Sequence, residues 1–156
     1  MKKLNLIYGL LIGLMIFTSC SKDENTQLTK EELLVQNSPW TFDYYELINI
    51  VNQGNSTLTQ QELETDMNQE IFGATISFSQ NGTGSNSIQG GNISSWEWEI
   101  TEFNELKLTF NGDITDNYIL NNIKVTENEF IYEEQVLTDD SSAGLSVIHY
   151  GEFHFK

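Results

Sequence analysis

The stretch SWEWEI, residues 95–100, alternates polar and apolar side chains at every step. Successive side chains of a β-strand point to opposite faces, so this alternation predicts a strand with one buried face. Trp96 and Trp98 would lie on the buried face, and Glu97 and Glu99 would face the solvent. The same period of two recurs along most of the chain that follows residue 39.

Turn signals separate further strands of this kind. The stretch FSQNGTG, residues 78–84, contains Asn81-Gly82, and Asn-Gly is the strongest short signal for a tight hairpin. Residues 111–113, Asn-Gly-Asp, form a second turn signal. The strands predicted after residue 73 are Ile76–Phe78, Asn86–Ile88, Trp96–Ile100, Leu106–Phe110, Tyr118–Val125, Phe130–Val136 and Leu145–Phe155.

The first strand is predicted in WTFDYYELINIV, residues 40–51. Apolar residues occupy most of its even positions, which indicates a half-buried strand. On this phase Tyr45 faces outward, and Glu46 interrupts the inner face. The residues expected to face inward are Trp40, Phe42, Tyr44, Ile48 and Ile50.

Capping boxes predict two helices. In a capping box a Thr side chain caps the first turn, and a Glu three residues later bonds back to the Thr amide. The first box is Thr29 with Glu32, and the second is Thr59 with Glu62. The second helix has one apolar face and ends before Gly73, so we expect it on the surface, packed against the sheet.

With the first strand included, we expect eight strands joined by short connections. Short connections select antiparallel pairing, because parallel strands need longer crossovers. Eight antiparallel strands close into a small barrel or pack as a strongly curved sandwich. The sequence therefore predicts an all-β domain over residues 30–156, with a short N-terminal helix and one surface helix.

The beginning of the chain indicates export and lipidation. Lys2 and Lys3 precede an apolar run, residues 4–17, that is shorter than the about 20 residues a membrane span needs. Small residues then lead to Cys20, the only cysteine. This order resembles the lipobox of bacterial lipoproteins, in which the cysteine is acylated and begins the mature chain. The alternative is an ordinary secretory signal with an incidental cysteine.

The resemblance implies three segments. Residues 1–19 would be a lipoprotein signal peptide, and residues 20–29 a flexible tether anchored through acylated Cys20. Ser21 to Glu24 resembles the export signals that follow the lipidated cysteine in some surface lipoproteins. We therefore expect a lipid-anchored protein of the bacterial outer membrane that is exposed at the surface, with a periplasmic orientation as the alternative.

The charge of the chain excludes some partners. There are 23 acidic residues, seven lysines and no arginine, giving a formal net charge of −16. Such a surface repels nucleic acid and anionic lipid headgroups. The acidic residues are spread along the chain, which is typical of a solvated surface and not of a binding tail.

The layout over residues 33–156 resembles the lipocalin-like domains of bacterial surface lipoproteins. The resemblance is carried by Trp40 at the start of the first strand, the FSQNGTG hairpin at residues 78–84 and the WEWEI strand at residues 96–100. Lipocalins usually have Gly two residues before this Trp, whereas this chain has Ser38. The resemblance implies an eight-stranded barrel that carries a small ligand in its interior.

No residue pattern predicts a metal site. His149 and His154 lie five residues apart on the last strand, so they are expected to point to opposite faces and cannot share an ion without a bulge. The acidic loop segments 113–117 and 139–142 lack the spacing of a calcium-binding EF-hand loop. We therefore expect no metal ion and no cofactor.

The carboxylates do not predict catalysis either. Pairs for glycoside chemistry could be drawn from Glu97, Glu99, Glu133 and Glu134. The first two fall on the solvent face of their strand, where a carboxylate gains nothing as a general acid. The sequence shows no pattern of a nucleophile, a base and an orienting group, so we expect a protein that is not an enzyme.

Aromatic residues on inward phases are the clearest signal of a binding site. Most of them must form the core, but a barrel that is open at one end leaves some of them lining an apolar pocket. The residues predicted to contact a ligand are Trp40, Tyr44, Trp96, Trp98, Tyr118 and Tyr132.

Two functions follow from these patterns. The first is a carrier, an envelope protein that binds a small apolar or amphipathic ligand inside its barrel. The second is an interaction module, a filled barrel that contacts another envelope protein or a glycan through its surface. A cavity lined by aromatic residues favours the first function, and a packed core favours the second.

Overall fold

A computed structural model describes residues 27–88, 91–110 and 117–156 of the chain. The predicted signal peptide, Cys20 and most of the tether lie outside the described residues.

Eight antiparallel strands form a closed barrel in which every strand pairs with its neighbours in chain order, and β8 closes the barrel onto β1. The prediction of an all-β, eight-stranded fold is confirmed, and the barrel form is the correct one of the two alternatives. The strands are β1 (Trp40–Asn52), β2 (Thr75–Phe78), β3 (Thr83–Ile88), β4 (Asn92–Ile100), β5 (Leu106–Phe110), β6 (Asn117–Val125), β7 (Phe130–Asp140) and β8 (Leu145–Phe155).

The predicted phase of β1 is wrong after its third residue. Phe42 pairs with Phe155 and Tyr44 pairs with His154, so one β1 residue between them has no partner on β8. Such a bulge exchanges the two faces of the strand. Tyr45 is therefore the buried residue, at 2% exposure, whereas Tyr44 is 40% exposed.

The bulge also reverses the predicted orientation of the side chains that follow. Leu47 is buried, and Ile48, which we expected inside, is 51% exposed. Glu46 is exposed on the outer face and does not interrupt the inner one.

Both predicted capping boxes are confirmed. Helix α1 (Lys30–Gln36) begins after Thr29 and helix α2 (Gln60–Glu70) begins after Thr59, with the reciprocal Thr–Glu hydrogen bonds present in each. Neither described helix has the length and apolar composition that crossing a bilayer demands. Helix α1 covers one end of the barrel, where Trp40 Nε1 donates a hydrogen bond of 3.0 Å to the Leu34 carbonyl.

Helix α2 completes the barrel wall beside β1. Strands β1 and β2 pair at only two register positions. Beyond them, Asn68 of α2 accepts a hydrogen bond from the Tyr45 amide at 2.8 Å and donates one to the Tyr45 carbonyl at 3.1 Å. Glu64 accepts from the Leu47 amide at 3.1 Å. These side chains satisfy backbone groups that a neighbouring strand would otherwise pair.

Aromatic rings fill the end of the barrel that α1 covers. Phe130 lies at the centre of this cluster, with its ring centroid 6.0 Å from that of Trp40 and 5.7 Å from those of Phe78 and Phe155. Trp40, Phe130 and Leu34 are among the most deeply buried side chains. We call this region the packed end, and its density explains why the cavity lies elsewhere.

Candidate functional site

A cavity of about 370 Å³ occupies the other half of the barrel interior. It lies between the packed end and the barrel mouth that is formed by the ends of β3, β5 and β7 and the starts of β4, β6 and β8. We call this region the open end. Its wall is formed by Met67, Ile71, Ile76, Asn86, Ile88, Trp96, Leu108, Phe110, Tyr118, Leu120, Tyr132, Glu134, Val136 and Phe153.

The small residue Gly84 of β3 leaves space at the middle of the barrel wall for the Trp96 ring. Gly84 pairs with Trp96, and the Trp96 ring lies directly over it. A Cβ at position 84 would overlap that ring, so the close approach requires glycine. The next inward residue of β3 is Asn86, whose side-chain oxygen accepts a hydrogen bond of 3.4 Å from Trp96 Nε1. Trp96 is thereby held flat against the wall.

Glu134 is the one acidic residue among the described residues of the cavity wall. Burial among apolar side chains raises the pKa of its carboxyl group to about 7. No hydrogen bond or ion pair joins Glu134 to another residue in the described part of the chain. Glu134 is half-buried, and a partly desolvated carboxyl group without a partner offers a specific polar contact to a molecule in the cavity.

A buried polar chain lies beside the cavity. The Tyr45 hydroxyl forms a hydrogen bond of 2.7 Å with His149 Nδ1, and Thr138 Oγ1 forms one of 2.8 Å with His149 Nε2. Burial lowers the pKa of His149 and so favours the neutral ring. Gly151 leaves space for the Tyr45 ring on the neighbouring strand. Because both ring nitrogens are satisfied, we assign this chain a structural role.

Three of the six predicted ligand residues line the cavity. Trp96 and Tyr132 form its inner wall, and Tyr118 lies at its mouth with 43% of its surface exposed. Their contact with a ligand stays a prediction.

The other three predicted residues lie elsewhere. Trp40 belongs to the packed end at 1% exposure. Tyr44 faces outward because of the β1 bulge, where its ring stacks on His154. Trp98 donates a hydrogen bond of 3.1 Å to the Thr83 carbonyl and lines a separate surface groove beside α1. The inward phase of a strand therefore places a residue in the barrel without deciding which end it occupies.

Other carboxylates singled out in the sequence have different surroundings. Glu97 and Glu99 are exposed, as predicted from their strand phase. Glu133 accepts hydrogen bonds from Asn122 at 2.7 Å and from the Tyr150 hydroxyl at 2.9 Å.

Only one of the two acidic segments is fully described by the structure. Of the loop 113–117, residues 113–116 lie outside the described part of the chain. In the segment 139–142, which we expected to be a loop, Asp139 and Asp140 are the last residues of β7. Asp140 accepts hydrogen bonds of 2.6 Å from both Ser142 and Ser56. Its carboxylate therefore holds the turn together.

The prediction that His149 and His154 point to opposite faces of β8 is confirmed. His149 faces the interior, whereas His154 lies on the outer face beneath Tyr44. Its neighbours there are Glu46, Glu152 and Glu129, and one ligand atom from each of Glu46, Glu152 and His154 falls within 4.8 Å of the others. We call these three residues the outer cluster.

Sequence reasoning named Glu134 only as a carboxylate for glycoside chemistry and missed its place in the cavity, and it missed the outer cluster as a group. Glu134 shares the inward phase of β7 with Phe130, Tyr132 and Val136, so alternation alone could have found it. The outer cluster depends on pairing between β1 and β8, and residues over 100 positions apart leave no local signal.

A scan against models of protein families gives no match, and a search of curated proteins gives none either. The lipocalin-like resemblance therefore rests on the strand layout and the short motifs, and membership of that family stays a prediction.

Proposed function

We propose that this protein is a lipid-anchored carrier of the bacterial envelope, which binds a small amphipathic ligand inside a lipocalin-like barrel and catalyses no reaction. The observation that carries the proposal is the cavity at the open end. Its wall is mostly apolar and contains one carboxyl group, that of Glu134, which has no partner among the described residues. The anchor is supported by the lipobox-like sequence around Cys20.

The size of the cavity sets the size of the ligand. Its volume of about 370 Å³ is near the lower limit of ordinary ligand pockets. At roughly 30 Å³ per water-sized group, it has room for about a dozen non-hydrogen atoms. A short alkyl chain or a ring with a small substituent fits this space.

Glu134 defines the polar end of the ligand. The rest of the cavity wall is almost entirely apolar, so the hydrophobic part of a ligand gains stability from burial against Leu108, Phe110 and Tyr132. An amine or hydroxyl group that reaches Glu134 would satisfy a carboxyl group that otherwise has no partner. We therefore favour a protonated amine on an apolar body, because its charge also opposes that of the ionised carboxylate.

The test is mass spectrometry of the protein extracted gently from its host envelope. Under native conditions we expect a reproducible added mass, which is released on denaturation. Val136→Trp fills the cavity and should remove the added mass. Leu137→Trp is the matched control, because the neighbouring side chain is 63% exposed on the outer face. That variant should keep the added mass.

Two results would contradict a carrier. One is an added mass that survives in Val136→Trp as fully as in the control. The other is a clean apoprotein that also fails to bind alkyl amines added in solution. The second result favours the alternative function, an interaction module whose surface contacts another envelope protein or a glycan.

A further inference from the structure

The outer cluster brings Glu46 of β1 beside Glu152 and His154, which share one face of β8. Glu46 of β1 pairs directly with Glu152 of β8, and His154 follows two residues later on the same outer face. His154 Nε2 lies 3.3 Å from Glu152 Oε2. That separation equals the edge of a tetrahedron whose corners are ~2.0–2.1 Å from its centre, the usual bond length for zinc with nitrogen and oxygen ligands.

His154 presents an unsatisfied nitrogen to this cluster. The residue is only 5% exposed, and its Nε2 has no hydrogen-bond partner within the described residues. Glu152 Oε2 lies 3.3 Å from Nε2, which is near enough for a charge interaction. A buried ring nitrogen without a partner is unfavourable unless another group, such as a metal ion, completes its environment.

The other ring nitrogen of His154, Nδ1, is hydrogen-bonded to a carboxylate, as is usual for metal-binding histidines. Nδ1 donates a hydrogen bond of 3.2 Å to Glu129 Oε1, which places a proton on Nδ1. In the neutral ring, Nε2 then carries the lone pair that a metal ion would bind. The Tyr44 ring stacks on the imidazole at 4.1 Å and 12°. These two contacts fix the orientation of the His154 ring.

The charges nearby suit a divalent cation. Lys124 Nζ binds Glu152 Oε1 at 2.7 Å, which leaves Oε2 free to face His154. The group contains three carboxylates, of Glu46, Glu129 and Glu152, and one ammonium group, of Lys124. With the carboxylates ionised, it therefore has an excess of two negative charges.

We propose that Glu46, Glu152 and His154 bind one divalent transition-metal ion, with Zn²⁺ as the best fit, on the outer face of the barrel. The imidazole disfavours calcium and magnesium, which prefer oxygen ligands. This site lies on the opposite side of the wall from the cavity, so it does not depend on the carrier function.

The test is calorimetric titration of ZnCl₂ into chelator-treated protein. We expect one equivalent to bind, with affinity reduced at least tenfold in Glu46→Gln and lost in His154→Gln. Glu97→Gln is the matched control, since it removes an exposed glutamate from another strand and should bind zinc like the wild type.

Folding is controlled separately, because replacing the buried His154 destabilises the fold whether or not the residue binds metal. Glu46 is exposed, so Glu46→Gln should keep the circular dichroism spectrum and melting temperature of the metal-free protein. Equal zinc affinity in the wild type and in a folded Glu46→Gln variant would overturn the site. Absence of zinc binding to the wild type at 100-fold molar excess would overturn it as well.

Discussion

The two ends of the barrel use the same eight strands but differ in what fills them. At the packed end, Trp40, Phe78 and Phe130 face one another and helix α1 closes the opening. At the open end, β3 contributes Gly84 and Asn86 to the inner wall, and a cavity of about 370 Å³ remains. The comparison shows that the size of the inward residues, and not the strand count, decides where a small barrel can hold a ligand.

The two ends also differ in polarity. The packed end is a cluster of aromatic and aliphatic side chains, whose burial stabilises the fold. The open end contains the unpaired Glu134 and borders the chain of Tyr45, His149 and Thr138. We infer that the packed end contributes most of the free energy of unfolding, and that the open end contributes less because it leaves a cavity for the proposed ligand.

Phe130→Ala should have the largest effect on stability. Removing this ring leaves a hole between Trp40, Phe78 and Phe155, and we expect a loss of about 3–5 kcal/mol in the free energy of unfolding. Urea denaturation measures the loss. Leu137→Ala, at an exposed position of the same strand, should change stability by less than about 0.5 kcal/mol. A loss below about 1 kcal/mol in Phe130→Ala would contradict the assignment of the packed end.

Gly84→Ala should be next in size. The added methyl group overlaps the Trp96 ring, so the strand or the ring must move, at a cost of about 1–3 kcal/mol. The shift should also change the Trp96 fluorescence, because this ring forms part of the cavity wall. Ser85→Ala, the adjacent change, serves as the control and should do neither. An unchanged spectrum in Gly84→Ala would show that Trp96 does not lie over position 84.

Glu134→Gln should stabilise the empty barrel in a pH-dependent manner. Burial raises the pKa of Glu134 to about 7, above the ordinary value of 4.5. The folded state therefore holds this proton more tightly, and the stability it contributes is complete below about pH 4.5 and lost as the pH rises through 7.

We accordingly expect Glu134→Gln to be more stable than the wild type at pH 8 by about 1–2 kcal/mol. At pH 5 the two proteins should be nearly equal. Urea denaturation at both pH values measures the difference. An equal difference at the two pH values would mean that Glu134 is solvated at the open end and not buried.

Tyr45→Phe should have the smallest effect. The change removes the hydroxyl that bonds His149 Nδ1 and keeps the ring, so we expect a loss of about 1 kcal/mol. The imidazole resonances of His149 should shift, while those of His154 should not. A shift confined to His154 would place Tyr45 on the outer face and contradict the β1 bulge.

Much of the fold could be predicted from the sequence, because alternation and turns act locally. The SWEWEI stretch, both capping boxes and the Asn81-Gly82 turn have the predicted structures. The bulge in β1 could not be predicted. It arises where Phe42 and Tyr44 pair with consecutive residues of β8, and only the assembled barrel brings that strand alongside.

The site was predictable only in part. Strand phase identified Trp96 and Tyr132 as inward, but it also selected Trp40, which lies at the packed end. Distance along the barrel axis depends on how the strands are staggered, and sequence alternation does not contain that information. The inward position of Glu134 follows from alternation on β7, but the role that we propose for it depends on the cavity around it.

The most direct test of the difference between the two ends is an NMR titration with decylamine, followed through the indole N–H resonances of the three tryptophans. We predict a saturable shift of the Trp96 resonance, because this ring lines the cavity, and no shift of Trp40, which is sealed in the packed end. A shift of Trp40 that equals or exceeds that of Trp96, or the absence of any saturable shift, would contradict a ligand site at the open end.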